Sequence, residues 1–130
     1  MEIQRRSFDP DELGARETTL LVKSLLIPRP IAWVGTRDAD GTDNLAPHSF
    51  FTMASEDPPI VLFTSSGRKD TLRAIEQTGE FTISLISAAQ REAANQTSAP
   101  YAPEISEFDA ARIPALPSQL VSAPAVAGSP

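Results

Sequence analysis

The 130-residue chain contains no cysteine and a single histidine, His48. Without cysteine it can form no disulfide bond, no thiolate metal site and no cysteine nucleophile. A lone histidine with no obvious carboxylate or metal partner is most often an ordinary polar residue, although it can also carry a proton near a redox group. We therefore predict no metal site, and any redox chemistry must come from a bound cofactor.

Basic residues are also scarce. The chain has 11 Lys and Arg against 17 Asp and Glu, which gives a formal net charge of −6, whereas nucleic-acid-binding surfaces need clustered Lys and Arg. No apolar run approaches the roughly 20 residues that a membrane span requires, and the N-terminus lacks a basic segment followed by an apolar core. We expect a cytoplasmic protein that contacts neither nucleic acid nor membrane.

The length is that of one ordinary domain. Residues 1–130 are therefore predicted to form a single domain that opens with an approach segment, residues 1–30. Within this segment the acidic run Asp9-Pro10-Asp11-Glu12 is typical of the start of a helical turn. Thr18 and Thr19 are candidate N-caps of a helix that follows it.

A β-hairpin is predicted next, with strands over residues 31–36 and 42–53 joined by a turn at residues 38–41. Pro47 lies in the second strand and cannot donate to a strand ladder, so we expect a bulge or an edge position there. The apolar run over residues 60–64 is of the kind found in a strand that is buried on both faces.

The second half of the chain begins with a helix, for which Asp70 is the predicted N-cap and Gly79 the C-cap. A strand follows over residues 81–86, and Ser87 to Gln90 resembles a capping box at the start of another helix. Residues 99–130 lose periodicity and are rich in proline, so we predict an irregular tail or surface loop rather than a core element. Four strands leave open sheet edges, which the tail, a second copy of the chain or a missing part of the domain must cover.

Two polar segments follow strand-like runs and supply the candidate binding groups. Ser65, Ser66 and Gly67 can turn backbone amides towards an anion, Arg68 or Lys69 adds positive charge, and the next helix directs its N-terminus to the same point. In the other segment Asn44 and Ser49 can donate to and accept from the polar edge of a ring. The alternative is that both segments are ordinary solvated turns.

Trp33 is the only tryptophan and lies on a predicted core strand, so packing is its expected role, with stacking on a ligand as the alternative. Of Phe50 and Phe51, which point to opposite faces of a strand, only one can approach a given pocket. No arrangement of serine, histidine and aspartate for nucleophilic catalysis can be assigned, because nothing brings His48 beside a particular serine.

The sequence resembles the flavin reductase-like family of FMN-binding split barrels. The resemblance is close over residues 20–87 and continues more loosely to Glu107-Phe108. The segments that carry it are Ile27-Pro28-Arg29-Pro30-Ile31-Ala32-Trp33-Val34-Gly35-Thr36, Asp40-Gly41, Asn44-Leu45-Ala46-Pro47-His48-Ser49-Phe50-Phe51, Asp57-Pro58-Pro59, Arg68-Lys69-Asp70-Thr71 and Thr78-Gly79-Glu80-Phe81. The fold that this resemblance implies is mainly β (α+β), a split β-barrel.

The resemblance also implies a homodimer in which each barrel holds FMN without a covalent bond. Hydride would pass from NADH or NADPH to the flavin, and electrons would then reach a second flavin, a metal complex or a partner oxygenase. No catalytic residue is assigned, since the flavin carries the chemistry. The residues implied to line the flavin ring are Asn44, Ala46, Pro47 and Ser49, with Trp33 and Thr52 as weaker candidates. The residues implied to hold the phosphate are Ser65, Ser66, Lys69 and Thr71.

One departure from the family pattern concerns the C-terminus. Members of the family continue past the position of residues 126–130 with strands that complete the barrel, so the barrel is expected to be truncated here. Two alternatives to an FMN-dependent oxidoreductase therefore stay open: a flavin-binding or carrier module without turnover, and a remnant that binds no flavin.

Overall fold

The computed structural model describes residues 5–130, so the first four residues of the expected approach segment lie outside the described residues. The chain forms five short helices and seven strands in this part. The helices are α1 Pro10–Leu13, α2 Ala15–Leu25, α3 Asp70–Thr78, α4 Arg91–Gln96 and α5 Glu107–Ala110. The strands are β1 Ala32–Arg37, β2 Asp43–His48, β3 Phe51–Glu56, β4 Pro59–Phe63, β5 Thr82–Ser84, β6 Ala115–Leu116 and β7 Ala125–Val126.

The central sheet has the order β2-β1-β5, and both ladders are antiparallel. The predicted hairpin between β1 and β2 is confirmed, with the Asp38 carboxylate accepting from the amides of Asp40 (3.0 Å) and Thr42 (2.8 Å) in the turn. The expected second strand over residues 42–53 is wrong in length. It ends at His48, and Phe51 begins a separate strand that pairs with β4 instead.

Pro47 lies opposite Trp33 in an uninterrupted register on an edge strand. The edge position was predicted, and the alternative bulge at this residue is absent. Leu45, two residues earlier, directs its amide away from β1 to the carboxylate of Glu107. The direction of the backbone N–H repeats every second residue along a strand, so an amide at position 47 would also point away from β1. The missing N–H of Pro47 therefore costs no hydrogen bond to β1.

β3 and β4 form a separate two-stranded ladder with a bulge between Met53 and Ser55. The prediction that the run over residues 60–64 is buried on both faces is wrong. Ile60, Val61 and Leu62 are 48%, 42% and 43% exposed. The run has the composition of a buried strand, but no element within residues 5–130 covers this two-stranded ladder fully.

The hydrophobic core lies on one side of the central sheet. Its buried members are Trp33, Leu45, Ala94, Phe108, Ile113 and Val126. Three of these six belong to residues 99–130, so the prediction that this segment contributes no core element is wrong. The segment contains α5, β6 and β7, and β7 packs beside β5, where the amide of Val126 donates to Ser84 Oγ (3.0 Å).

The helix ends that the sequence predicts are confirmed in part. Gly79 takes the predicted left-handed C-cap with φ 72°, and the capping box of Ser87 and Gln90 is present. α2 begins at Ala15, so Thr18 and Thr19 lie inside this helix rather than at its N-cap. α3 has Lys69 as its N-cap, with Asp70 as the first helical residue. This last shift of one residue leaves α3 without a side-chain cap.

Candidate functional site

The two polar segments predicted from the sequence meet at a cleft of about 470 Å³. One wall is the end of β2 and the turn after it, the second is the loop between β4 and α3, and the third is the loop over residues 97–101 that follows α4. Predicted binding residues that line this cleft are Asn44, Ala46, Pro47, Ser49, Ser66, Lys69 and Thr71. Ser65 lies on the other side of its loop, beside the exposed face of β4.

Positive charge is concentrated around this cleft. Five of the chain's 11 Lys and Arg residues line it, against two carboxylates, Asp70 and Glu107. Because the whole chain carries a formal charge of −6, this local excess of cations indicates a site for an anionic group. The five cations are Lys23, Arg29, Arg68, Lys69 and Arg73.

The N-terminus of α3 is the place in the cleft best suited to an anion. In the described part of the chain α3 has no side-chain cap hydrogen bond, and a helix N-terminus attracts negative charge. Arg68 is paired with Glu76 and Arg73 with Asp70. Within residues 5–130 Lys69 has no carboxylate at ion-pair distance, so its charge is available to a ligand.

The cations Lys23 and Arg29 reach the cleft from the N-terminal segment. Arg29 Nη1 donates to the carbonyls of Lys23 and Leu26, both at 2.7 Å, and so closes the C-terminal end of α2. Both cationic groups lie over the ring of Phe50, at 5.8 Å for Lys23 and 5.4 Å for Arg29. Cation–π contacts at these distances are attractive and hold α2 beside the turn after β2.

A hydrogen-bond network connects three elements under the cleft. Asn44 Oδ1 accepts from Thr71 Oγ1 (2.9 Å), and Asn44 Nδ2 donates to Glu107 Oε2 (2.8 Å). The same carboxylate oxygen accepts from the amide of Leu45 (3.0 Å). Burial raises the pKa of Glu107, and the hydrogen bonds from Leu45 and Asn44 oppose this rise. In this network the hydroxyl of Thr71 donates its proton to Asn44, so this proton is not available to a ligand.

His48 lies in the wall of the cleft at the end of β2. Its Nδ1 is 3.3 Å from the carbonyl oxygen of Thr64, and its ring centroid is 4.7 Å from that of Phe63. Its Nε2 is buried and has no hydrogen-bond partner among residues 5–130. Burial lowers the pKa of His48, and the charge of Lys69 lowers it further. The imidazole is therefore neutral at pH 7, with Nδ1 as its donor and Nε2 as an unused acceptor.

The two weaker candidates lie outside the lining of the cleft. Trp33 is 0% exposed and donates its indole N–H to Thr97 Oγ1 at 2.9 Å. It therefore packs in the core, as the first of its two predicted roles requires. Thr52 lies on β3, opposite Leu62.

Sequence reasoning did not find the contributions of the distant segments. Glu107 and the 97–101 loop lie about 50 residues or more beyond β2 along the chain, and no local pattern brings them to it. The pair Glu107-Phe108 was noted only as part of a family resemblance. In the described part of the chain no group of three His, Asp or Glu side chains is placed to hold a metal ion, and no helix there is long and apolar enough to cross a membrane.

The arrangement of the cleft can be compared with known proteins. A family model described as the flavin reductase like domain matches residues 24–130. The chain belongs to this family. The membership confirms the resemblance seen in the sequence, and it identifies the central sheet and the β3–β4 ladder as parts of a split barrel.

Individual relatives agree with the family. A protein of Halalkalibacterium halodurans, BH2278, is 37% identical over 94% of this chain. Nitrilotriacetate monooxygenase component B from Bacillus cereus superposes with a TM-score of 0.90 at 29% identity over 98% of the chain. A protein with a split barrel domain from Shewanella frigidimarina gives a TM-score of 0.82 at 29% identity over 92%. The predicted fold class is thereby confirmed.

The relatives are longer than this chain. The matched region is 61% of the Halalkalibacterium halodurans protein, 65% of the Bacillus cereus structure and 60% of the Shewanella frigidimarina structure. The chain therefore spans about three fifths of the length of these relatives.

Proposed function

We propose that the chain is an FMN-binding oxidoreductase domain that takes hydride from NADH or NADPH and passes electrons to an acceptor in the cytoplasm. The observation that carries this proposal is the cationic cleft at the uncapped N-terminus of α3, in a flavin reductase like domain. On this proposal residues 1–130 belong to one domain, with residues 99–130 contributing to its core.

The phosphate of FMN fits the α3 end of the cleft. The first-turn amides of α3 and the side chains of Ser66 and Lys69 supply donors and charge there. Thr71 is 2% exposed and its hydroxyl proton goes to Asn44, so we assign to Thr71 a backbone contact through the helix N-terminus. Ser65 Oγ donates to the carbonyl of Gly67 (2.9 Å), so its part is to shape the loop that carries Ser66.

The flavin ring fits the wall formed by β2 and the turn after it. Ala46, Pro47 and Ser49 line this wall, and Asn44 lies beneath it in the hydrogen-bond network. The cleft volume of about 470 Å³ falls within the range of about 300–1,000 Å³ that is usual for small-molecule sites. His48 lines this wall with its pKa lowered, chiefly by burial, so it adds no positive charge to the ring end of the cleft.

Bound FMN supplies the hydride and electron transfer, while the protein binds and orients it. The residues of this chain hold the phosphate by charge, present amides and a side-chain amide to the ring, and leave the cleft open to solvent on one side. We infer that the nicotinamide donor and the electron acceptor approach from this open side. A partner oxygenase is one candidate acceptor, which the name of the Bacillus cereus neighbour supports; a second flavin and a metal complex are the others.

A homodimer is proposed as the assembled form. The β3–β4 ladder exposes apolar side chains on both of its faces, and uncovered apolar surface of this kind marks an interaction surface. A second copy of the chain is the partner that we propose for it. Sedimentation equilibrium tests this point, because a monomer at micromolar concentration would contradict it. The exposed apolar residues are Met53 and Val61 on one face and Ile60 and Leu62 on the other.

The first experiment is a visible absorption spectrum after incubation with excess FMN and desalting, repeated anaerobically with NADH and with NADPH. A retained flavin band that bleaches supports the oxidoreductase. A retained band that does not bleach with either donor would favour a flavin-binding or carrier module, and no retained band would favour a remnant without a flavin site.

The phosphate assignment is tested with Lys69→Ala. We expect the binding free energy of FMN to weaken by about 1.5–3 kcal/mol, the value of a hydrogen bond to a charged group. Riboflavin lacks the phosphate, so its affinity should not change. Titration of flavin fluorescence measures both.

The matched control for this variant is Arg91→Ala, which removes an exposed cation on α4 outside the lining of the cleft. It should bind FMN as the unmodified chain does. Equal FMN affinities for Lys69→Ala and Arg91→Ala would show that Lys69 does not contact the phosphate.

A further inference from the structure

We propose that Glu107 is a positioning residue that fixes the side-chain amide of Asn44 in one orientation, so that Asn44 acts on a ligand in the cleft only as a hydrogen-bond donor. The carboxylate of Glu107 lies in the wall of the cleft, and the residue is 5% exposed. No cation of residues 5–130 forms an ion pair with it. A buried carboxylate without a cation is costly, and the proposed flavin chemistry does not otherwise use it.

The orientation of Asn44 follows from what its neighbours can offer. Glu107 Oε2 accepts from the backbone amide of Leu45 at 3.0 Å, and this amide can only donate. The hydroxyl oxygen of a protonated carboxyl group is a poor acceptor, so this bond favours Oε2 as an oxygen that carries no proton. It can therefore meet only the nitrogen of the Asn44 side chain, which lies 2.8 Å away.

The oxygen of Asn44 is then turned towards two threonine hydroxyls. Oδ1 accepts from Thr71 Oγ1 at 2.9 Å and from Thr36 Oγ1 at 3.5 Å. An amide oxygen has two lone pairs and an amide nitrogen has two protons. After these contacts the oxygen has no strong acceptor site left, while one N–H of Asn44 has no acceptor among residues 5–130.

A ligand in the cleft consequently meets an N–H donor at Asn44. The chemistry that fits this donor is a carbonyl oxygen or an unprotonated ring nitrogen at the edge of a flat polar ring. A ring N–H at the same place would find no acceptor. The inference rests on the proposed function for the identity of the ring, but the orientation of Asn44 depends on the protein alone.

A purely structural role for Glu107 makes a different prediction. If the carboxylate only held α5 against β2, its replacement would lower stability and binding together. If it is retained to orient Asn44, the neutral glutamine should remove a buried charge without loss of stability. Glutamine can face Asn44 with either its oxygen or its nitrogen, so the orientation of Asn44 would no longer be fixed.

The test is Glu107→Gln, with Glu104→Gln as the matched control. Glu104 is exposed, belongs to the same segment and lies outside the lining of the cleft. Three quantities are measured for each variant: the FMN dissociation constant, the midpoint of thermal unfolding without flavin, and the ¹⁵N–¹H signals of the Asn44 side chain without flavin. The Asn44 signals are identified by their loss in Asn44→Ala.

For Glu107→Gln we expect FMN to bind roughly tenfold more weakly, the effect of about one net hydrogen bond, with an unfolding midpoint equal to or above that of the unmodified chain. The Asn44 side-chain proton that faces the carboxylate should shift upfield. Glu104→Gln should change none of the three. Unchanged FMN affinity in Glu107→Gln, or weaker affinity together with a lowered unfolding midpoint, would overturn the proposal.

The inference and the proposed function fail in distinguishable ways. If the unmodified chain binds no FMN, the proposed function fails, and the NMR signals still decide the role of Glu107. A shifted Asn44 signal in Glu107→Gln then supports the fixed orientation, and an unchanged signal overturns it.

Discussion

β1 and β4 are both short apolar strands, but their surroundings are opposite. Ala32, Trp33 and Val34 of β1 are 0% exposed, whereas Ile60, Val61 and Leu62 of β4 are 42–48% exposed. β1 is the middle strand of its sheet and is covered by helices and by residues 99–130, while β4 has one neighbouring strand. An apolar run therefore indicates what a strand can bury, and the number of neighbouring elements decides what it does bury.

The largest test of this comparison is Trp33→Ala. Truncation of a buried aromatic residue costs about 3–5 kcal/mol, and the bond to Thr97 Oγ1 is lost as well. Val61→Ala should change the free energy of unfolding of the monomer by less than about 0.5 kcal/mol, because the side chain is already exposed. Urea unfolding followed by circular dichroism measures both variants, since tryptophan fluorescence is lost with Trp33. Similar losses of unfolding free energy in Trp33→Ala and Val61→Ala would contradict the view that β1 is buried and β4 is exposed.

Gly35→Ala is expected to have the next largest effect. A Cβ at this position of β1 would collide with the carbonyl oxygen of Pro124 and lie 2.6 Å from Thr82 Oγ1. Overpacking of this kind typically costs about 1–3 kcal/mol. Ala54→Val adds bulk to the exposed strand β3 and should cost less than about 0.5 kcal/mol. If Gly35→Ala unfolds at the same urea concentration as the unmodified chain, the approach of residue 124 to β1 is not a packed contact.

The smallest effect concerns His48, whose ring on Phe63 connects the two sheets. Its pKa is lowered in the folded state, chiefly by burial, so the unfolded chain binds a proton more readily. The contribution of His48 to the stability of the fold is therefore present above the pKa of the residue in the unfolded chain, about 6.5. It is lost as the pH falls through the lower pKa that the residue has in the folded chain.

The measurement for this prediction is the difference in unfolding free energy between the unmodified chain and His48→Gln from pH 7.5 to pH 5. We expect the unmodified chain to lose stability more steeply on acidification, since the glutamine cannot take up the proton. Parallel curves for the two proteins would mean that the imidazole is as accessible when folded as when unfolded.

Local features of the fold were predictable where one short stretch of sequence decides them. The Asp38 turn, the left-handed cap at Gly79 and the capping box at Ser87 depend only on neighbouring residues, and all are present. The end of β2 at His48 and the start of α2 at Ala15 were missed. β2 ends where the chain changes its pairing partner from β1 to β4, which a local pattern does not reveal. α2 begins directly after Gly14, whose φ of 84° is not helical.

The candidate site was predictable in part for the same reason. The segments around Asn44 and Lys69 follow strands and have suitable side chains, and the structure brings them to one cleft. Glu107 was missed as a partner of Asn44, since 63 residues separate the two along the chain. Ser65 was grouped with Ser66, and only the path of the loop separates the sides on which they lie.

The sequence by itself determined the absence of cysteine chemistry, the acidic character of the chain, its strand and helix punctuation, and the motifs by which its family is recognised. The tertiary structure decided which apolar runs are buried, that residues 99–130 enter the core, and that five cations gather at one cleft. The physical reason is the distance along the chain over which each kind of interaction acts. Turn and cap preferences act over a few residues, whereas burial and charge clustering depend on contacts between segments that are far apart in the chain.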